Sequence, residues 1–128
     1  MAILTNAGKA HAAGLLTGIS SGGFTHIALG SGTTAESATQ TSLTTEITTN
    51  GGARASATTS RITTTQTNDT AKWEKEFTFT GSLTISEIGL FDAASSGTMY
   101  MRSLLTTARS VEDGDTLTVT IESVQSQG

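Results

Sequence analysis

The sequence predicts a mainly β protein, an antiparallel β-sandwich or small barrel with one short N-terminal helix. Three observations carry that prediction. Apolar residues gather in short segments of two-residue period, the spacing that sets alternate side chains on one face of a strand. Thr and Ser fill 42 of 128 positions, 27 of them Thr, whose β-branched side chain favours extended backbone. Turn formers built on Gly, Asn and Asp punctuate these segments at short, regular intervals.

Taken in order, Thr5 reads as the N-cap of a helix over about residues 5–16, with Ile3 and Leu4 ahead of it. Ala7, Ala10, Ala13 and Leu15 or Leu16 fall toward one side, while Gly14 and Gly18 weaken the helix and end it near Leu16. Gly22-Gly23 is a turn, and Phe24 to Gly30 a strand. Gly30-Ser31-Gly32 opens a long polar loop to Ser42, followed by an ordered piece, Leu43 to Ile47, and a turn at Asn50-Gly51-Gly52. Ala53 to Thr65 reads as one long polar strand whose only bulky apolar residue is Ile62, which places it at an exposed edge or a subunit contact. After a turn at Gln66 to Asp69, Thr70 to Thr80 returns. Ala71, Trp73, Phe77 and Phe79 share one face, and Lys75 interrupts it with its stem along the sheet.

Leu83 to Phe91 alternates with a fault: Leu83 and Ile85 have one parity, Ile88 and Leu90 the other. A parity switch without a turn is the mark of a β-bulge, expected at Glu87 or Gly89. Thr98 to Leu105 is a strand with Met99 and Met101 on one face and Tyr100 and Leu104 on the other. Glu112 to Asp115 turns into the last strand, Thr116 to Val124, with Leu117, Val119 and Ile121 inward. The chain is expected to be one domain over 1–128. The clustering of apolar residues argues against a disordered chain; that alternative is confined mostly to the loop 31–42 and the tail, 125–128, which is expected to be flexible.

Composition excludes several classes. Three Lys and four Arg against a formal charge of −4 leave no basic footprint for nucleic acid. No apolar run reaches the ~18–20 residues of a membrane span, and no basic, apolar leader opens the chain. Synthesis in the cytoplasm is therefore expected. With no Cys there is no thiolate metal site or disulfide. Gly8-Lys9 lacks the upstream Gly and following Ser or Thr of a phosphate loop. Gly30-Ser31-Gly32 offers backbone amides to an anion but reads better as a turn leaving a strand. His11 and His26 have no spacing that pairs them with a nucleophile or a metal. Glu112, Asp113 and Asp115 hold only a fragment of a Ca²⁺ loop, and Glu74 and Glu76 are a solvated strand face rather than a carboxylate pair. No enzyme, cofactor or metal is expected.

Six segments in order carry a resemblance: Leu4 to Gly8, Ile27 to Thr34 (IALGSGTT), Leu43 to Ile47, Glu87 to Asp92 (EIGLFD), Gly97 to Arg102 and Gly114 to Val119. This set resembles small virion structural proteins of tailed bacteriophages. It is also similar to the N-terminal attachment domain of phage tail fibres, although such fibres continue into a shaft whereas this sequence stops at Gly128. The resemblance implies a virion protein, with a capsid decoration (cement) protein on the outer head shell as the first expectation. A stand-alone tail or baseplate component is the alternative. A glycan-binding module using Trp73 or Tyr100 is a third reading. Expected partners are the major capsid protein or other virion proteins and further copies of the chain, as a trimer, with no nucleic acid and no membrane. The long Thr-rich strand and the helix are the expected contacts, through Thr5, Asn6, Lys9, Arg54, Thr59, Arg61 and Thr63.

Overall fold

The computed structural model describes residues 2–126, which form one helix and eight strands. In chain order these are β1 (Ala2–Leu4), α1 (Asn6–Thr17), β2 (His26–Gly30), β3 (Ala55–Ser56), β4 (Thr58–Ile62), β5 (Thr70–Thr78), β6 (Leu83–Phe91), β7 (Met99–Val111) and β8 (Thr116–Val124). The strands pair antiparallel into a five-stranded sheet, β1-β7-β6-β2-β3, and a three-stranded sheet, β4-β5-β8. Ile27, Leu29, Ile85 and Leu90 of the larger sheet meet Trp73, Phe77 and Val119 of the smaller in one buried cluster. Each such side chain contributes about 1.5–3 kcal/mol by leaving water. The mainly β class with one short N-terminal helix is as the sequence predicts.

The run expected as one strand from Ala53 to Thr65 is two. β3 extends the larger sheet beside β2, β4 edges the smaller sheet beside β5, and the chain changes sheets at Ala57, whose N–H donates to Thr25 O. Both pieces are edges, as their polar sequence requires. In β6 the register with β7 shifts between Ile85 and Glu87, so the irregularity falls at Ser86, one residue before the expected Glu87, while Gly89 pairs in register with Arg102. Ile85 thus faces the core while Glu87 turns to the opposite face of the sheet. A second shift, between Leu90 and Phe91, skips Tyr100 in β7. It overturns the expected shared face of Met99 and Met101: Met101 joins the main core, and Met99 packs with Ala28, Leu43 and Phe91 on the far side. β7 also runs six residues past the expected Leu105, to Val111, because pairing with β6 continues where apolar alternation has stopped.

That far side is covered by the polar loop after β2, which the structure ties down. Glu87 and Arg102 are both fully buried beneath it and joined at 2.8 Å. The Glu87 carboxylate also accepts the N–H groups of Gly32, Thr44 and Thr45 at 2.8–2.9 Å. Arg102 Nη1 donates to Thr34 O at 2.8 Å. Burial pushes the Glu87 carboxyl up, but the Thr45 amide, the Arg102 guanidinium and the other two amides outweigh it and hold the pKa below its ordinary value. The anion cradle considered at Gly30-Ser31-Gly32 is therefore real in part, and its anion is the chain's own Glu87. A Cβ at Gly30 or Gly32 would lie 2.4 or 2.5 Å from Glu87 Oε2, so the carboxylate needs glycine at both.

The helix starts as its sequence dictates. Thr5 is the N-cap, accepting from Gly8 N–H at 2.8 Å and donating to Met99 O. Gly18 caps the other end through its N–H to Leu15 O. Gly8 brings the helix onto β7 so closely that a Cβ there would lie 2.6 Å from Tyr100 Cα and O. In a free helix Gly→Ala gains about 1 kcal/mol. Here Gly8→Ala should instead cost about 1–3 kcal/mol by overpacking against backbone. A raised urea midpoint in that variant would show that the helix does not bear on β7.

At the opposite end of the smaller sheet from the 112–115 turn, Asp69 orders the β4–β5 loop. The N–H groups of Gln66 and Thr64, then that of Thr65 and the Thr70 hydroxyl, hold its carboxyl well below the ordinary carboxylate range. Of the tail expected to be flexible, Gln125 donates its N–H to Asp69 O, and residues 127 and 128 lie outside the described residues.

Candidate functional site

The C-terminal end of α1 and the β4 edge form one continuous surface. Leu15 and Leu16 are adjacent in sequence, so a helix turns them about 100° apart, and only one can face the sheets. Leu15 packs on the core; Leu16 is 85% exposed, and Ile19, just past the Gly18 cap, is 86% exposed. Two shallow grooves of about 250 and 330 Å³ flank Leu15 and share Phe24, Ala71 and Trp73 as their floor. One opens toward Tyr100 and β8, and the other toward Thr59 and Ser60 of β4. Each is large enough for one or two side chains of another protein and carries little charge beyond Lys72.

The seven expected contact residues divide. Thr59, Arg61 and Thr63 are exposed along the β4 edge, and Arg61 makes no ion pair among the described residues. Asn6 and Lys9 are exposed nearer the other end of α1, about 13 and about 9 Å along the axis from Leu15, so the helix does not bring them to β4. Thr5 is fully buried with its hydroxyl occupied at both ends, and in this fold it caps rather than contacts. Arg54 is likewise internal: its side chain is 7% exposed, pairs with both oxygens of Glu46, donates to Ala93 O and Ser96 O, and lies 3.6 Å over the Phe91 ring. Leu16 and Ile19 are the surface residues that sequence reading misses. The available signal is the Leu15-Leu16 pair followed by Gly18-Ile19, one more apolar residue than a single helical face can bury.

The remaining candidates resolve into structure. Trp73 is buried and donates Nε1–H to Phe24 O at 2.7 Å, and the half-buried Tyr100 packs on Phe24 with ring centroids 4.6 Å apart. His11 Nε2 lies 2.7 Å from Gly22 O and 3.7 Å from Asp92, closing the loop after α1. His26 meets the hydroxyls of Thr25 and Ser56, not a carboxylate. Asp115 accepts the Glu112 N–H and so caps its own turn; Glu74 meets Lys72 and Thr120. Among the described residues, no three His, Asp or Glu side chains converge to hold a metal ion, and no helix is long and apolar enough to cross a membrane.

Two sheets enclose a common core, a helix is clamped to one of them, and an apolar, nearly uncharged surface lies beside an exposed strand edge. Residues 7–127 match the model of the family described as Podophage GP4 fiber I protein gp80, and the chain belongs to that family. It is a fibre-related structural protein of a phage virion. No curated protein matches the chain.

Proposed function

We propose that this chain is a non-enzymatic tail-fibre component that seats on other virion proteins through the surface formed by the end of α1 and the β4 edge. The observation that carries this reading is the pair of side chains Leu16 and Ile19, 85% and 86% exposed, the first of them lining one of the two apolar grooves. Exposed leucine and isoleucine lose free energy in water and regain it in a contact, at about 25 cal/mol per Å² of apolar surface covered. The β4 edge adds unpaired backbone groups that accept an extended segment from a neighbour. Support for a tail position is the fibre description of the family; outer head-shell decoration, the first expectation from sequence, has no feature of the fold behind it.

Separation of disrupted particles tests the placement: the protein should travel with tails and fibres, and its recovery with emptied heads would overturn the tail reading. Leu16→Asp tests the surface. Since Leu16 is exposed, the purified variant should keep its stability within about 0.5 kcal/mol. Its incorporation into particles should fall at least ten-fold, by roughly the 1.4 kcal/mol that a tenfold change represents. Normal occupancy would remove this surface from the docking role.

A further inference from the structure

The β8 strand offers an edge unlike the others. β1 and β3 are three and two residues long, and β4 is five with Arg61 on it. β7 is interrupted: between the pairs Ile85↔Arg109 and Glu87↔Leu104 it bulges away from β6, a distortion that discourages edge pairing. β8 instead runs nine residues in unbroken register with β5, from Thr116↔Thr78 to Val124↔Thr70, and its other side carries no strand. It holds no Pro and one charged side chain, Glu122. Its inward-facing Leu117 and Ile121 are only half-buried, and Val124 is 42% exposed. A long, regular, β-branched edge with so little charge is what pairs with another chain.

We infer that β8 pairs with β8 of a second copy of this chain, antiparallel about a two-fold axis at Thr120, joining two three-stranded sheets into one. The charge pattern selects both occupant and direction. In that register Glu122 lies opposite Thr118 of the second copy, and Val119 opposite Ile121, a β-branched pair on the core side. Parallel in-register pairing would instead set Glu122 against its own image. Pairing of β8 with β4 of another copy would cover only the five residues of β4 against nine here, with no ion pair to offset it, because Arg61 aligns with Ala71 on the inner face while Glu122 aligns with Lys72 on the outer. The contact is isologous, so it closes at two copies rather than at the expected three.

The chain has no Cys, so a single introduced thiol reports the contact. Thr120→Cys and Thr116→Cys in the full chain, oxidised by copper-phenanthroline in air, form the test; both positions are exposed. At Thr120 the two-fold axis brings the Cα atoms of the two copies to about 4.5–5.5 Å, within disulfide reach. At Thr116 they stand eight residues apart in register, about 27 Å. The Thr120→Cys variant should yield at least about ten-fold more covalent dimer, and the unmodified chain should sediment as a dimer that Thr118→Glu weakens about ten-fold by opposing Glu122. Sedimentation as a monomer at every concentration, sedimentation as a trimer, or equal cross-linking at the two positions would each overturn the inference.

Discussion

Arg102→Met should destabilise the protein by about 3–5 kcal/mol, the cost of leaving a buried carboxylate without its countercharge. Glu87 is fully buried and cannot turn to water, since Gly30, Gly32 and the covering loop enclose it. The loss is a large part of the roughly 5–15 kcal/mol available to a domain, and should lower Tm by roughly 10 °C or more. Arg102→Lys should recover little, because a single ammonium cannot reproduce both the Nε contact to Glu87 and the Nη1 contact to Thr34 O. The double variant Glu87→Gln/Arg102→Met should cost less than the sum of the single ones, since no isolated charge remains. It should not reach the parent, because the amides of Gly32, Thr44 and Thr45 lose their anionic acceptor. Arg102 Nη2 is buried without a protein partner among the described residues. The same group sets an acid limit. Glu87 and Asp69 both have folded pKa values below their unfolded ones, so their contribution is complete above the ordinary carboxylate range and is lost as pH falls through it toward the folded values. Stability should therefore decline from roughly pH 4 downward, with a shallower slope in Arg102→Met. Urea midpoints within about 1 kcal/mol for parent and Arg102→Met would show that Glu87 reaches solvent or is protonated.

Trp73→Ala should cost about 3–5 kcal/mol, as for other large aromatic residues removed from a core. Trp73 packs between the sheets, floors both grooves beside α1, and ties the segment after the helix to β5 through Phe24 O. Trp73→Phe separates the parts: it keeps most of the apolar volume but orphans the Phe24 carbonyl, at about 1–3 kcal/mol. A tryptophan serving as an open sugar platform would behave otherwise, since exposed positions seldom cost more than about 0.5 kcal/mol. The chain has one Trp, so its fluorescence reports this site alone. Emission should be that of a buried indole, insensitive to iodide in the folded state. Efficient quenching, with a small loss of stability in Trp73→Ala, would return the glycan reading to consideration.

How much the sequence says depends on whether the deciding interaction is local. Alternation in β5 and β8, the Thr5 cap, the Gly18 stop and the parity fault in β6 are set by neighbours within a few residues, and all are legible in order. The bulge at Tyr100 left no such trace, because Met99 and Met101 alternate correctly on paper and only their packing against Phe91 and Leu90 separates them. Nor did the break at Ala57, where a polar run gives no sign of which sheet each half will join. Nothing in the sequence marks Glu87 and Arg102 as a buried pair, since the loop that buries them lies more than forty positions from Glu87 in sequence. Thr5 and the Arg54 side chain are buried for the same reason, while Leu16 and Ile19 stay exposed. The sequence by itself determined the class of fold and the order of its elements through local periodicity and turn chemistry. Tertiary structure alone decided which charges are buried and which apolar side chains stay outside, because burial is settled by segments that meet only when the sheets close.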